Sequence, residues 1–136
     1  MAIKNKVKRA CIIDDDPIFI YGIKRIMNEI DLCDEIIVYS DGESALNELG
    51  ALVQKGKKLS DVILLDLDMP VMDGWAFLDD YIKIPNHDQE HHSMYILSSS
   101  INPSAIEKVK NYPIVKRFIS KPVTVSDLKQ ILKELV

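Results

Sequence analysis

The sequence predicts an α/β fold in which five βα units build a parallel sheet covered by helices on both faces. Short apolar runs alternate with longer segments whose apolar residues recur at helical spacing. The runs are apolar at nearly every position, which is typical of strands buried on both faces of a sheet. With 136 residues, 47% hydrophobic and 28% charged, the chain has the size and composition of one globular domain. We expect a tail over residues 1–7 and the domain over residues 8–136.

The predicted strands are apolar runs too short to form helices. The first contains Ala-Cys-Ile-Ile and is stopped by Asp-Asp-Asp-Pro, and the third, Val-Ile-Leu-Leu, ends at Asp66. A run of serines beginning at Ser98 forms a polar exit from the fourth. In chain order, the predicted strands span residues 9–14, 35–39, 62–65, 94–97 and 114–119.

Helix-starting residues mark where the helices begin. Asp16 followed by Pro17 is an N-cap acid with proline in the first turn. The spacing from Thr124 to Asp127 predicts a capping box before the last helix. The other three helices are expected after Asp41-Gly42, after the Met-Pro-Val-Met-Asp-Gly loop, and over residues 104–111.

The first helix has more apolar residues than one buried stripe needs. Its core stripe is predicted to contain Phe19, Gly22, Ile23, Ile26, Met27 and Ile30. Ile18, Ile20 and Tyr21 would then lie on the outer flank or near the rim of a site. They are either ordinary surface residues, which are common, or a docking patch for a protein partner.

Composition excludes several classes of protein. A net charge of −4 disfavours general nucleic-acid binding. The apolar runs, of about five residues at most, are too short to span a bilayer, and the basic N-terminus lacks the apolar region of a signal peptide. Cys11 and Cys33 are far apart, so neither a disulfide framework nor a zinc site is expected. A reduced cytoplasmic protein is the simplest interpretation.

Polar side chains follow four of the predicted strands. Asp14, Asp15 and Asp16 follow the first, Asp66 and Asp68 the third, Ser98 the fourth and Lys121-Pro122 the fifth. In open α/β sheets, ligands bind at the carboxyl ends of the strands. Clustered carboxylates repel one another unless a cation joins them, and oxygen ligands suit Mg²⁺. Carboxylate, hydroxyl and ammonium groups around Mg²⁺ are also what phosphoryl transfer needs.

These motifs together resemble the receiver domains of two-component response regulators. The matching segments are Ile-Ile-Asp14-Asp15-Asp16-Pro, Leu-Leu-Asp66-Leu-Asp-Met-Pro-Val-Met-Asp-Gly74, Leu-Ser98-Ser and Phe118-Ile-Ser-Lys121-Pro122. The resemblance covers residues 8–136 and implies the flavodoxin-like strand order 2-1-3-4-5. It also implies a stand-alone, chemotaxis-regulator-like signalling module rather than an enzyme.

The resemblance implies a role for each matching position. Asp66 would be the phosphoacceptor. Asp15 would bind Mg²⁺ directly and Asp14 largely through water, with the Asp68 backbone carbonyl and Asp66 completing the protein ligands. Ser98 would hydrogen-bond the phosphoryl group and Lys121 would form an ion pair with it, across an expected cis Lys121-Pro122 peptide bond. Phe118 would be either an aromatic switch that turns inward when Ser98 moves, or plain core packing.

The resemblance also implies partners. A sensor histidine kinase or a phosphotransfer protein would donate the phosphoryl group, and a downstream protein would read the face formed by helix 4, strand 5 and helix 5. Residues 102–136 hold seven basic and three acidic side chains, whereas residues 1–101 hold ten and 18. An acidic or amphipathic partner with salt-sensitive binding is therefore expected on that face, the alternative being a merely solvated basic surface. Whether the chain stays a monomer or dimerises on phosphorylation is left open.

Other interpretations of single features remain. Ile-Leu-Leu-Asp66-Leu-Asp68 also resembles the first motif of haloacid-dehalogenase-type phosphatases, although their acid pair comes late in the chain. A phosphorylation-independent scaffold is a further alternative, but it would not need clustered carboxylates. His87, His91 and His92, with Asp88 and Glu90, are either a solvated loop, which we favour, or a metal site.

Overall fold

The computed structural model describes residues 7–55, 60–69, 72–84, 93–99 and 102–135. Strands and helices alternate throughout, as expected, and the predicted elements are all present. β1 begins one residue before the predicted domain start, α4 ends two residues before its predicted end, and residues 1–6 of the expected tail lie outside the described residues. The elements are β1 (Val7–Ile13), α1 (Pro17–Glu29), β2 (Cys33–Tyr39), α2 (Gly42–Gln54), β3 (Val62–Asp66), α3 (Gly74–Tyr81), β4 (Ser93–Ser98), α4 (Pro103–Val109), β5 (Val115–Ser120) and α5 (Val125–Leu135).

The strands pair in parallel in the order β2-β1-β3-β4-β5, which confirms the predicted fold class. In this register Asp66 lies beside Leu97, and Ser98 lies beside Ser120. The residues that follow the strands therefore collect at one edge of the sheet. From β1 the chain continues to β2 on one side of the sheet, and from β3 it continues to β4 and β5 on the other side. Open sheets of this kind bind ligands at the point between β1 and β3 where the direction of strand addition changes.

Alternate residues of each strand point to opposite faces of the sheet, so the domain has two cores. In β1, Cys11 and Ile13 enter one core, whereas Ala10 and Ile12 enter the other. Helices α2 and α3 cover the first core, and α1 and α5 cover the second. Burial raises the pKa of the Cys11 thiol to about 12, so this residue is a small buried hydrophobe rather than a reactive group.

The predicted helix caps are formed. The Asp16 carboxylate accepts a hydrogen bond from the Ile18 N–H at 3.0 Å, and Pro17 is the first residue of α1. Thr124 and Asp127 form the predicted capping box, in which the backbone N–H of each donates to the other's side chain, at 3.0 and 3.1 Å. No helix within the described ranges is both long and apolar enough to cross a membrane.

The outer flank of α1 only partly matches its prediction. Ile18 and Tyr21 are 82% and 66% exposed, but Ile20 packs partly against the core beside Phe19 and Ile26. The apolar stripe of α1 is therefore wider than the spacing alone indicated, because neighbouring side chains on a short helix share one broad face of the sheet. The histidine cluster at residues 87–92 lies outside the described residues.

Candidate functional site

Three of the predicted aspartates meet at the carboxyl edge of the sheet. One carboxylate oxygen from each of Asp14, Asp15 and Asp66 lies within 4.8 Å of the other two. Asp14 and Asp66 are buried, and Asp15 is exposed at the mouth of the cluster. Because every donor is a carboxylate oxygen, the cluster fits a hard divalent cation such as Mg²⁺, and it has no nitrogen or sulfur donor that would favour a softer metal.

Asp16, the last residue of the acidic triplet, has a different place. Its carboxylate caps α1, while its backbone N–H donates to the Asp14 carboxylate at 2.9 Å. The first bend after β1 therefore separates the triplet into one buried site carboxylate, one exposed site carboxylate and one helix cap. The hydrogen bond from Asp16 fixes the orientation of the Asp14 side chain.

Lys121 brings the far end of the chain into this site. Its ammonium Nζ lies 2.8 Å from Asp14 Oδ2 and 3.3 Å from Asp66 Oδ1. Its backbone N–H donates to the Ser98 carbonyl at 2.9 Å, and the peptide bond to Pro122 is cis, as expected. The ammonium also lies 4.3 Å from the centre of the Phe19 ring, a cation–π contact that the sequence did not indicate. Two carboxylates and one aromatic ring therefore surround one ammonium group.

The electrostatics of the site favour added positive charge. Burial raises the pKa of Asp66, and the nearby Asp14 carboxylate raises it further. The Asp68 N–H, at 3.2 Å from Asp66 Oδ1, and the Lys121 ammonium oppose this rise without cancelling it. Burial lowers the pKa of Lys121, but the hydrogen bonds and charges of Asp14 and Asp66 outweigh burial, so its pKa is raised. The ionised cluster is thus incompletely neutralised by Lys121 alone.

Asp68 and Ser98 occupy the flanks of Asp66. The Asp68 side chain is exposed, and its contact with Asp66 runs through the backbone N–H. Ser98 is buried at the end of β4, one residue beyond the partner of Asp66 in the sheet. Both residues are therefore neighbours of Asp66 in the fold.

Gly74, at the start of α3, packs closely against the backbone of Leu67 and of Asp66, the phosphoacceptor candidate. Its N–H donates to the Leu67 carbonyl at 3.0 Å. A Cβ atom at this position would lie 2.8 Å from the Leu67 Cα and 2.9 Å from the Asp66 carbonyl oxygen. The close approach of two backbone segments is the physical reason for glycine here.

Aromatic residues beside the site were not all anticipated. Phe118 is partly buried, and its ring meets the Trp75 ring edge-on, with centroids 6.5 Å apart. The sequence singled out Phe118 but not Trp75, although the chain's single tryptophan directly follows Gly74. Its position next to the loop motif was the signal that could have identified it.

The sequence model of the response regulator receiver domain matches residues 10–133. The chain belongs to this family. Receiver domains are signalling modules of two-component systems rather than classical enzymes, so the match supports the module and not the phosphatase alternative. The comparison with curated protein sequences found no match.

Solved structures of other proteins share the fold of this receiver domain. A two-component response regulator from Cytophaga hutchinsonii is 26% identical with a TM-score of 0.86, covering 96% of this chain and 97% of its own. A response regulator receiver protein from Dyadobacter fermentans is 23% identical with a TM-score of 0.80, covering 94% and 97%. The receiver domain of the sensor histidine kinase PA1611 from Pseudomonas aeruginosa, described with a magnesium ion coordinated in its active site cleft, is 17% identical with a TM-score of 0.69, covering 94% and 96%.

Proposed function

We propose that this receiver domain accepts a phosphoryl group on Asp66 from a sensor histidine kinase or a phosphotransfer protein, in a reaction that requires Mg²⁺. The observation that carries the proposal is the environment of one buried carboxylate. Asp66 lies at the carboxyl edge of the sheet, hydrogen-bonded by the Asp68 N–H, 3.3 Å from the Lys121 ammonium and clustered with two further carboxylates. A nucleophile, a cation and a set of metal ligands thus converge on one point.

Phosphoryl transfer to Asp66 needs only the phosphohistidine of the donor protein and the Asp66 carboxylate as reactants. An Asp66 carboxylate oxygen forms a bond to phosphorus while the phosphorus–nitrogen bond of a phosphohistidine breaks, and the imidazole nitrogen keeps the electron pair. Lys121 is close enough to move from Asp66 to the new phosphoryl oxygens, and the Ser98 hydroxyl would donate a hydrogen bond to another. Water then hydrolyses the acyl phosphate and returns the free Asp66 carboxylate and inorganic phosphate. We expect this self-dephosphorylation to be slow, and it does not make the domain an enzyme that acts on other substrates.

The residues present fit the magnesium ion that the family implies. We assign Asp15 as a direct ligand, Asp14 as a ligand largely through water, and Asp66 with the Asp68 backbone carbonyl as the others. When bound, Mg²⁺ would neutralise phosphoryl oxygens as negative charge approaches the carboxylates. The magnesium ion described in the active site cleft of the PA1611 receiver domain supports a magnesium site in domains of this family.

We expect the purified domain to gain one phosphoryl group from acetyl phosphate in the presence of Mg²⁺. Intact-mass spectrometry would measure the gain. An excess of a divalent-metal chelator should reduce it at least tenfold, because the three carboxylates would then repel the incoming phosphoryl group. Phosphoryl uptake that is unchanged by the chelator would contradict the metal assignment. If the domain neither takes up a phosphoryl group from acetyl phosphate nor binds beryllofluoride, the phosphorylation-independent scaffold remains as the interpretation.

The output face is proposed to be α4, β5 and α5, with Phe118 as the residue that links it to Ser98. Lys110, Lys129 and Lys133 are exposed there. A shallow groove of about 470 Å³ lies on α5 and is lined by Val125, Ser126, Lys129, Gln130 and Lys133. A basic groove with a partly apolar floor fits an acidic or amphipathic segment of a downstream protein. Phosphorylation would act by shifting the population between two arrangements of this face.

The electrostatic part of this proposal predicts a salt dependence. For any downstream protein that binds the phosphorylated form, raising the salt from about 0.05 M to about 0.5 M should weaken binding at least several-fold, because screening shortens the range of surface charges. Titration by fluorescence anisotropy at the two salt concentrations would measure it. A phosphorylation-dependent affinity that salt leaves unchanged would contradict a charge-based interface.

A further inference from the structure

The indole ring of Trp75 joins α3 to three later segments of the chain. Its centroid lies 5.8 Å from that of Tyr112, in the turn after α4, and 6.5 Å from that of Phe118, in β5. The ammonium of Lys108, on α4, lies 4.7 Å from the ring centroid. These are the distances of favourable aromatic pairs and of a cation–π contact. One side chain of α3 thus contacts α4, the turn after it and the following strand.

A second contact joins the same elements. The Tyr112 hydroxyl donates a 2.5 Å hydrogen bond to the Asp79 carboxylate, which lies on α3 one turn beyond Trp75. Tyr112 is only 7% exposed. The bond to a carboxylate, together with burial, raises the pKa of Tyr112 to about 12, so the hydroxyl remains a donor at neutral pH. We call Trp75, Asp79, Lys108 and Tyr112 the α3–α4 clasp.

Helix α4 has little packing of its own. None of its residues, Pro103–Val109, is fully buried, whereas α3 buries Phe77, Leu78 and Tyr81. A helix with few buried contacts is held by its flanking segments and opens locally at low cost. Within α4, Val109 packs partly against the first core. The fully buried residue that follows α4 is Tyr112, and the clasp contacts join Tyr112 and Lys108 to α3.

At the α3 end of the clasp, the backbone next to Trp75 is packed tightly against the backbone of Asp66. Trp75 directly follows Gly74, whose backbone is so close to Leu67 and to the Asp66 carbonyl that a methyl group would not fit between them. A movement of the chain around Asp66 therefore displaces the start of α3 and the Trp75 ring with it.

We propose that the α3–α4 clasp is a conformational device that holds α4 on the domain and passes displacements at Asp66 to α4 through Trp75. The holding role stands on the contacts alone, whereas the transmitting role rests on the proposed phosphorylation of Asp66. Weakening the clasp would release α4 while the rest of the domain stays folded.

Hydrogen exchange followed by mass spectrometry tests the holding role. In Trp75→Leu, the α4 amides should exchange at least tenfold faster than in the wild type, while those of β3 and β4 stay unchanged. Tyr112→Phe keeps the ring and loses the bond to Asp79, so it should give a smaller acceleration, about threefold or more. Tyr21→Leu, an aromatic-to-leucine change on exposed α1, is the matched control and should leave α4 unchanged.

The two clasp variants decide the holding role separately. If α4 exchanges within twofold of the wild-type rate in both, the clasp does not hold it. If Trp75→Leu does not fold, Tyr112→Phe alone decides, because it removes one hydroxyl and leaves the ring packing.

The fluorescence of Trp75 tests the transmitting role, since it is the chain's single tryptophan. Beryllofluoride with Mg²⁺, which mimics the aspartyl phosphate, should change the Trp75 emission and accelerate α4 exchange in the wild type but not in Asp66→Asn. Phosphoryl uptake by mass with neither change would overturn transmission and leave the proposed function intact. Absence of phosphoryl uptake and of any response to beryllofluoride would overturn both, while the exchange of the unmodified variants would still decide the holding role.

Discussion

Asp66→Asn should abolish phosphoryl uptake from acetyl phosphate, whereas Asp68→Asn should still take up one phosphoryl group per chain. The first change replaces a buried carboxylate with an amide that cannot form an acyl phosphate. The second makes the same chemical change two residues away, on an exposed side chain whose contact with Asp66 is a backbone N–H that asparagine keeps. The two variants are therefore matched in chemistry and differ in position relative to the nucleophile.

Intact-mass spectrometry with Mg²⁺ at fixed times would compare the two variants with the wild type. The loss in Asp66→Asn should exceed a hundredfold, and the rate of Asp68→Asn should stay within about tenfold of the wild type, since only a nearby exposed charge changes. Because burial and Asp14 raise the pKa of Asp66, the neutral amide is not expected to destabilise the fold, and urea unfolding would verify this. An adduct that persists in Asp66→Asn would place the phosphoryl group on another residue.

Gly74→Ala should destabilise the domain by about 2–3 kcal/mol and should also slow phosphoryl uptake. The new methyl group would lie 2.7 Å from Leu67 Cδ2, 2.8 Å from the Leu67 Cα and 2.9 Å from the Asp66 carbonyl oxygen. Two of these three atoms belong to the backbone, so rotating a side chain cannot relieve the overlap. The loop must move instead, and it carries the Asp66 backbone with it.

Gly22→Ala is the matched control, because the same methyl group would meet nothing within 4 Å there. Gly22 lies inside α1, where alanine is the better helix former, so this variant should be stabilised by up to about 1 kcal/mol. Urea unfolding of the two variants would give free-energy changes of opposite sign. A Gly74→Ala protein as stable as the wild type would mean that the loop after β3 tolerates a side chain, and that the close approach does not position Asp66.

Local patterns in the sequence were enough to predict the fold class and the residues at the strand ends. Apolar runs of strand length, the Asp16-Pro17 helix start and the box of Thr124 and Asp127 depend on residues a few positions apart, and the structure contains all of them. The assignment of Asp14, Asp66, Ser98 and Lys121 to one edge followed from the parallel sheet together with the resemblance. Their individual roles remain predictions that the experiments above address.

The contacts between residues far apart in the sequence were determined only by the tertiary structure. The ion pair of Asp14 with Lys121 spans 107 positions in the sequence, and its length depends on how the four strands from β1 to β5 in the sheet align in register. The division of Asp14, Asp15 and Asp16 into buried, exposed and capping groups follows from one bend after β1. The ring of Trp75 meets Tyr112 and Phe118 only because α3 and α4 pack on the same face of the sheet. Periodicity in a sequence determines which face of an element is buried, but the partner it is buried against is determined by packing of the whole chain.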